Sequence, residues 1–393
     1  MTTGEKVALY IEGIAEGGEG IARLDGKSIF VRGGGPKEKA VCRITEDRRS
    51  WARAELVEVI EASKDRVQPA CPLYGNCGGC NLQHLNYQAQ LDAKAGILCE
   101  CFKRIGGFNP PTPAILPSAP WEYRNRVQFH RIPPNGLGFM SHNSVTPVPA
   151  PDCPIADPGI RAFLQKTASG ETPLLPDPKS ERFTVYARNG LFLYEGGVEQ
   201  GKTKILDREI HLDVGCFFQS NGNLLESLVA KLKEIAAAAN HSLPMADLYC
   251  GVGTFACFLM ELFPKIDLLE ENKKALALAK KNIALGGTGA AKFRAEFFAL
   301  RDTGWAKLRH GGYSFIVADP PRQGLAPALA HWLATEGPPL LAYVSCAPAT
   351  LARDSKILLA GGYALAELLL YDFYPQTAHI ESLAVFVRPH HVF

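Results

Sequence analysis

Apolar positions along this chain fall into three successive patterns. Up to about residue 62, short apolar stretches at 7–11, 29–31, 40–44 and 54–60 are separated by glycine-rich turns such as Gly17-Gly18-Glu19-Gly20 and Gly33-Gly34-Gly35-Pro36. Many short strands punctuated this way predict a small β-barrel. A helical pattern over about 87–105 follows, ended by Gly106-Gly107 and a proline-rich stretch. From about 122 to 213 the pattern returns to short strands. From Val214 onward apolar strands near 245–249, 266–270, 292–295, 314–318, 340–344, 364–371 and 383–387 alternate with helical segments near 224–237, 273–284 and 349–359. That alternation predicts a parallel, doubly wound sheet whose ligand sits at the carboxyl ends of the strands. The fold class is therefore α/β, with a Rossmann-like C-terminal domain over 214–393, an N-terminal barrel over 1–62, and a central β-rich domain over 63–213.

Composition narrows the setting. A chain of 393 residues with 47% apolar content has room for two or three cored domains. It opens without an apolar run of signal-peptide length, and no later run reaches about 18 apolar residues, so a cytoplasmic chain with no membrane partner is expected. Eleven cysteines in a reducing compartment point to metal binding or catalysis rather than a disulfide framework. A net charge of +2 announces no nucleic-acid partner, so that reading must rest on local patches. One patch holds Lys37, Lys39, Arg43, Arg48 and Arg49 against Glu38, Glu46 and Asp47; another sets Arg124, Arg126 and His130 on one strand face. Either is a phosphate-following surface or an ordinary solvated face. Oligomeric state is not legible, and a monomer is assumed.

The segment Ala246-Asp247-Leu248-Tyr249-Cys250-Gly251-Val252-Gly253-Thr254-Phe255 is an apolar strand entering a Gly-x-Gly turn and then a helix. Glycine there lets the backbone approach a ligand and take positive φ. The next strand ends in Glu270-Glu271, where a carboxylate commonly accepts ribose hydroxyls. A nicotinamide fingerprint would continue to Gly at 256; Ala256 is a permitted variant, so that cofactor stays open. The turn is more similar to the first motif of S-adenosylmethionine methyltransferases.

Three later segments lie at strand ends on the edge that carries the glycine turn: Asp319-Pro320-Pro321-Arg322-Gln323-Gly324, Ser345-Cys346-Ala347-Pro348, and His379-Ile380-Glu381-Ser382. Carbon 5 of uracil is a poor nucleophile toward a methyl sulfonium. Temporary addition of a thiolate at carbon 6 creates an enolate that puts negative charge on carbon 5. A base must then remove the carbon 5 proton before the thiol can leave. Cys346 and Glu381 meet those two needs, with His379 as the alternative base. Alone, a cysteine after an apolar strand is usually a small core residue and such a glutamate is usually solvated. Their co-occurrence at neighbouring strand ends favours chemistry.

With these motifs the chain resembles the family of RNA uracil-5-methyltransferases. The resemblance is carried by Phe217-Phe218-Gln219-Ser220-Asn221, the 247–255 turn, Asp319 to Gly324, Ser345-Cys346 with Pro348 to Asp354, and the closing His379 to Ser382. It implies an S-adenosylmethionine-dependent methyltransferase domain acting on RNA, with Cys346 as nucleophile and Glu381 as base. It further implies that Gln219, Tyr249, Thr254, Glu270 and Asp319, together with the Gly251 turn, line the cofactor and base pocket. Residues 1–62 would be an RNA-binding barrel of the TRAM type, and ribosomal RNA of the large subunit the substrate, with transfer RNA open. Two positions depart from the family pattern: Ala347 where Asn is usual, and Phe297 where a polar residue would touch adenine.

Cys71, Cys77 and Cys80 form a C-x5-C-x2-C run with Pro72 and Gly78-Gly79 beside it. The resemblance supplies Cys153 as fourth ligand and implies a [4Fe–4S] cluster, making the central region an iron–sulfur domain. Structural zinc is the rival. Cys99 and Cys101 are alternative ligands but fall in a helical pattern; Cys42, Cys216, Cys250 and Cys257 read as small packing residues. Radical use of the cofactor fits poorly, because the spacing is not C-x3-C-x2-C and methyl transfer to an enolate needs no electron. Rival activities are amino-group methylation, which Asp319-Pro320-Pro321 resembles, cytosine-5 methylation, and RNA binding without catalysis.

Overall fold

The computed structural model describes residues 1–133, 136–142, 146–171, 181–286, 294–299 and 304–388. Strands β1 (Lys6–Ile14), β2 (Gly20–Leu24), β3 (Lys27–Arg32), β4 (Glu38–Asp47) and β5 (Trp51–Glu61) close into a barrel in the order β1-β2-β3-β5-β4. Side chains alternate across a strand, so Ala40, Cys42 and Ile44 of β4 point inward to meet Leu9, Ile11, Ile29 and Val31. Strand β2 is one the apolar pattern alone does not mark. Glu38, fully buried, accepts from the Gly35 amide at 2.7 Å and from the Arg66 guanidinium, which fastens the barrel to the next segment.

Helix α1 (Tyr87–Cys101) starts where the Asn86 side chain accepts from the Ala89 amide at 2.9 Å. It runs on through a π-helical turn, Phe102–Gly106, and stops at Gly107 in the left-handed region. Its apolar side, Ile97, Leu98 and Phe102, packs into the C-terminal core rather than the central one.

The central sheet contains β7 (Arg126–Ile132), β8 (Gly136–Met140), β9 (Pro147–Pro149), β10 (Arg182–Arg188) and β11 (Leu191–Tyr194), ordered β11-β10-β7-β8-β9. Before it, β6 (Ala114–Leu116) leaves to join another sheet. Strands alone are expected in this region, yet α2 (Pro158–Ala168) is a helix. Asp157 caps it by accepting from Gly159 at 2.8 Å, and Pro158 suits a first turn whose amide needs no partner. Ile160, Phe163 and Leu164 then recur at helical spacing to cover Phe129, Phe183 and Val185. A hairpin of β12 (Gln200–Ile205) and β13 (Arg208–Asp213) follows. It shares a core with the C-terminal elements through Ile205, Ile210 and Leu212.

The C-terminal elements are α3 (Gly222–Ala237), β14 (Met245–Leu248), α4 (Thr254–Leu259), β15 (Lys265–Glu270), α5 (Lys273–Gly286), β16 (Arg294–Ala299), β17 (Phe315–Ala318), α6 (Pro327–Glu336), β18 (Leu340–Ser345), α7 (Pro348–Ala360), β19 (Ala364–Tyr371) and β20 (Glu381–Val387). The third strand is expected at 292–295; positions 292 and 293 lie outside the described residues, and β16 begins at Arg294. The eight-stranded order is β16-β15-β14-β17-β18-β20-β19-β6. Strands β16, β15, β14, β17 and β18 are parallel, as expected, but β20 runs antiparallel to both β18 and β19. The sheet is therefore mixed. This reversal puts the start of β20 at the carboxyl edge of the parallel strands, where an all-parallel sheet would have placed it at the opposite edge.

Candidate active site and cysteine cavity

Cys346 follows β18 directly, and Glu381 opens β20. The antiparallel ladder ends on the pair Ser345 and Ser382, which brings the neighbouring Cys346 and Glu381 to the same end of it, and the Glu381 charge acts on the Cys346 thiol. Asp319 follows β17, the strand on the other side of β18. Gln219, in the extended segment before α3, donates from Nε2 to Asp319 Oδ2 at 3.4 Å. Its own Oε1 and the Oε1 of Glu381 are buried without a protein partner, two acceptors left over in one pocket. Buried oxygens in that state fit a ligand that brings donors.

Burial sets the protonation of this group. It pushes Glu381 well above the usual carboxylate range; Asp319 adds to the shift and Arg322 opposes it. Asp319 rises to about 7 through burial, against the Gln219 hydrogen bond and with help from Glu270. The Cys346 thiol is pushed up to about 11 by burial and by Glu381 and Asp319, with Arg322 opposing. Cys346 also precedes the N-terminus of α7, whose free amides favour a thiolate. His379 is held down to about 4 by burial and by the Arg322, Arg124 and Lys94 charges. Its Nδ1 faces Arg322 Nη2 at 3.4 Å. A neutral imidazole of such low basicity is a far weaker proton acceptor than Glu381.

Ala347 is the N-cap residue of α7, with no side-chain bond to the helix. An asparagine at 347 would cap the helix, so this departure removes a cap and not a reacting group.

The turn after β14 has three consecutive odd positions in the left-handed region: Tyr249 at φ 62°, Gly251 at 54° and Gly253 at 79°. A Cβ on Gly251 would meet nothing within 4 Å, so the residue borders an open cradle; on Gly253 it would press Ala279 at 3.1 Å. Glu270 caps the cradle, accepting from the Gly251 amide at 2.9 Å and the Asn272 amide at 2.7 Å. A carboxylate has about four lone-pair sites, so both oxygens can still take ribose hydroxyls. Thr254 begins α4 beside this turn, half-buried. The cradle fits S-adenosylmethionine. Tyr249, within this turn, packs its ring on the cluster containing Leu325 and Tyr343, with its hydroxyl at the Ala326 backbone. Phe297 lies beneath the Lys280 ammonium at 5.5 Å and against the core.

Two pocket residues escape sequence reasoning. Tyr374, in the irregular segment between β19 and β20, feels both Glu381 and Cys346 and bonds Ser220. Arg322 is the positive charge acting on both reacting groups. Irregular segments carry no periodicity, so only proximity to Glu381 in sequence could have marked Tyr374.

A separate cavity of about 380 Å³ is lined by Cys71, Cys77, Cys80 and Cys153, with Arg124 and His142 among its walls. Cys99 and Cys101 lie in α1 instead. Cys80 is raised to about 12 by burial, Cys153 and Cys77 adding to it, and Cys153 to about 11 by burial, with Cys77 and Cys71 adding. Arg124 opposes both shifts. Four thiols converging on one cavity, with a cation to offset them, form a donor set suited to a thiophilic metal centre. As they stand, no three His, Cys, Asp or Glu side chains among the described residues are grouped to hold a metal ion.

The basic patches look different in three dimensions. In the barrel, Lys39 pairs with Glu61, Arg48 with Glu46 and Arg43 with Glu55, which neutralises much of the local excess. The central strand face does not lie free: Arg124, Gln128 and His130 line the cysteine cavity, and Arg126 is half-buried, donating to the Val214 carbonyl at 3.3 Å. Among the described residues no helix is long and apolar enough to cross a membrane.

Comparison with known proteins adds to this geometry. Residues 1–57 match the TRAM domain model, and residues 197–388 match the tRNA (Uracil-5-)-methyltransferase model. An RNA methyltransferase of Treponema denticola with no assigned target is 31% identical, the alignment covering 92% of this chain and 94% of that one. The 23S rRNA (uracil(1939)-C(5))-methyltransferase RlmD of Alkalilimnicola ehrlichii is 30% identical over 98% of this chain and 97% of its own. Among solved structures, the Pyrococcus abyssi tRNA (uracil-54, C5)-methyltransferase, in complex with S-adenosyl-L-homocysteine, superposes with a TM-score of 0.75. It is 24% identical and covers 97% of this chain and 100% of that one, a likeness of fold.

Proposed function

The chain belongs to the RNA uracil-5-methyltransferase family, and from that premise we propose that Cys346 and Glu381 carry its reaction. The protein is an S-adenosylmethionine-dependent enzyme that methylates carbon 5 of uracil in RNA. The observation that supports the residue assignment is that Cys346 and Glu381 adjoin the Ser345–Ser382 pair closing the β18–β20 ladder, with the Glu381 charge acting on the thiol.

The sulfonium of S-adenosylmethionine supplies an electrophilic methyl group. Gly251 and Gly253 would let the backbone close around the cofactor, and Glu270 would accept its ribose hydroxyls. A flipped-out uracil enters beside Gln219 and Asp319, since carbon 6 must be reached on a face hidden by stacking. The Cys346 thiol gives up its proton to Asp319, which leaves Glu381 ionised, and the thiolate bonds carbon 6, moving the ring's electron pair toward carbon 5 and O4. Carbon 5 would take the methyl group that the cofactor supplies, the electron pair of the broken bond staying on the cofactor's sulfur. Glu381 then removes the carbon 5 proton; that electron pair restores the ring double bond and expels the Cys346 thiolate. Asp319 and Gln219 hold the ring's polar edge throughout.

The domain reading follows the same division as the chemistry: 1–62 for RNA binding, 63–213 as the central domain and 214–393 for methyl transfer. Large-subunit ribosomal RNA is the proposed substrate, supported by relatives named for that activity at 30% identity over nearly the whole chain. Methylation of isolated ribosomal but not transfer RNA checks it. Cys71, Cys77, Cys80 and Cys153 would hold a [4Fe–4S] cluster, whose contribution there is to brace the loop and not to move electrons. Purified protein should be brown; a colourless, zinc-replete and fully active preparation would remove the cluster. Eleven cysteines suit a reducing compartment, and the enzyme is placed in the cytoplasm as a monomer on that reading.

RNA bearing 5-fluorouridine tests the central step. Fluorine cannot leave as a proton, so a covalent protein–RNA adduct should survive denaturation. Its persistence in Cys346→Ala would refute the assignment.

A further inference from the structure

The segment that leads to Glu381 is held almost entirely by residues from before the methyltransferase sheet. The Lys94 ammonium donates to the Tyr374 carbonyl at 2.9 Å, and the Tyr123 hydroxyl to the Pro375 carbonyl at 2.9 Å. Gln376, buried and at φ 68°, exchanges two bonds with Gln90: its amide donates at 2.8 Å and its Oε1 accepts at 3.0 Å. The Gln376 carbonyl accepts from the amides of both Asn81 and Leu82, at 3.1 and 3.0 Å. One residue touches more of this junction than any other in that set. Asn81 Oδ1 accepts from the Ala378 amide at 2.7 Å, three residues before Glu381, while its Nδ2 donates to the Gly17 carbonyl of the barrel at 2.8 Å. Gly18 closes over it at φ 82°, where a Cβ would lie 2.6 Å from Asn81 Nδ2 and 3.0 Å from the Ala378 Cβ.

We infer that Asn81 is a positioning residue for proton abstraction: it pins the barrel turn, the cysteine loop and the catalytic segment together, and so fixes where Glu381 starts its strand. This rests on the reading of Glu381 as the base. Cys346 directly follows β18, whose pairing with β17 does not involve residues 376–379, so the nucleophile is held from the side of the sheet away from the clamp. Loosening the clamp therefore slows one step, the loss of the carbon 5 proton, and leaves the formation of the bond between Cys346 and carbon 6. A residue that merely supported the fold would depress both together.

The test uses the full-length protein and two RNAs, one with uridine and one with 5-fluorouridine at the target. Asn81→Ala should form the fluorinated adduct as fast as the unaltered chain, with an unchanged KM for RNA. Its kcat on natural RNA should fall by roughly ten- to a hundredfold, the scale expected when a reacting group is displaced by about an ångström. A denaturation-resistant adduct with natural RNA should then appear. Asn81→Asp keeps an acceptor for the Ala378 amide and should restore turnover. An Asn81→Ala protein with normal kcat, or one that loses both adducts in proportion, overturns the inference. Absence of a fluorinated adduct in the unaltered chain would instead sink the assignment of Cys346. Should Asn81→Ala not fold, amide exchange in the unaltered protein decides: the Ala378 amide must be protected, and exchange at the rate of a free loop refutes the clamp.

Discussion

Cys346 and Glu381 lie directly beyond and beside the Ser345–Ser382 pair that ends the β18–β20 ladder, close enough for the Glu381 charge to act on the thiol. A nucleophile and a base on facing strands address the two carbons of one ring bond without any loop having to close. Glu381→Gln keeps the shape of the side chain but removes its capacity to take a proton. Turnover should fall by about 10²–10⁴-fold, the usual worth of a positioned general base. Adduct with natural RNA should accumulate at the same time, visible as a shifted band on a denaturing gel. Release of free methylated RNA at an undiminished rate would exonerate Glu381.

The pocket's protonation state gives the reaction a direction in pH. Asp319 at about 7, Glu381 well above its usual range and Cys346 at about 11 are all raised, because burial penalises the charged form of each. The reaction needs a thiolate and an ionised base, so the competent form is scarce at low pH and grows as pH rises. Single-turnover rates should climb from pH 6 to 9, approaching about tenfold per unit where one group limits. His379, held near 4, stays neutral throughout and adds no inflection. A rate that is flat across this interval would show that none of these groups controls the reaction.

Much of this arrangement is legible in the sequence, for identifiable reasons. Strands β14, β15, β17 and β18 are buried on both faces and read as continuous apolar runs, so their ends, and with them Cys346 and Asp319, can be placed by inspection. Helix α2 is missed because its apolar side is only three residues, Ile160, Phe163 and Leu164, and the signal is its Asp157-Pro158 start. The reversal of β20 is invisible to periodicity, which has no sense of strand direction. The central strand face of Arg124 and His130 reads as an open surface, and only the fold shows that it covers a cavity of cysteines. Tyr374 and Asn81 act through irregular backbone, where no repeat exists to detect them.

Gly251 isolates the cofactor cradle from the fold. Its φ of 54° is costly for any other residue except Asn or Asp, by roughly 1–2 kcal/mol, while an added methyl would enter open space. Gly251→Val should therefore weaken S-adenosylmethionine binding by at least about tenfold through bulk in the cradle, the scale of one lost good contact. Calorimetric titration with S-adenosylhomocysteine reads this directly. Unfolding midpoints should also fall, by the few degrees that a backbone strain of about 1–2 kcal/mol implies. Undisturbed affinity would mean that the cofactor does not lie along this turn.

Lys94 and Asp372 form an ion pair between α1 and the end of β19 with both side chains wholly out of water. Burial drives the Lys94 ammonium toward lower basicity, and the Asp372 carboxylate beside it opposes that shift. Asp372 Oδ2 remains without a protein partner, and the pair is not fully satisfied. Removing one member of such a pair typically costs about 3–5 kcal/mol, whereas replacing both by apolar groups is often neutral. Lys94→Met should lower the urea midpoint sharply, and Lys94→Met with Asp372→Leu should recover most of it. Turnover should not recover with stability, since the Tyr374 carbonyl still lacks the Lys94 donor that helps to hold the segment before Glu381. A double variant as unstable as the single one would show that the pair contributes net stability; full recovery of kcat would show that Lys94 serves the fold and not the catalytic segment.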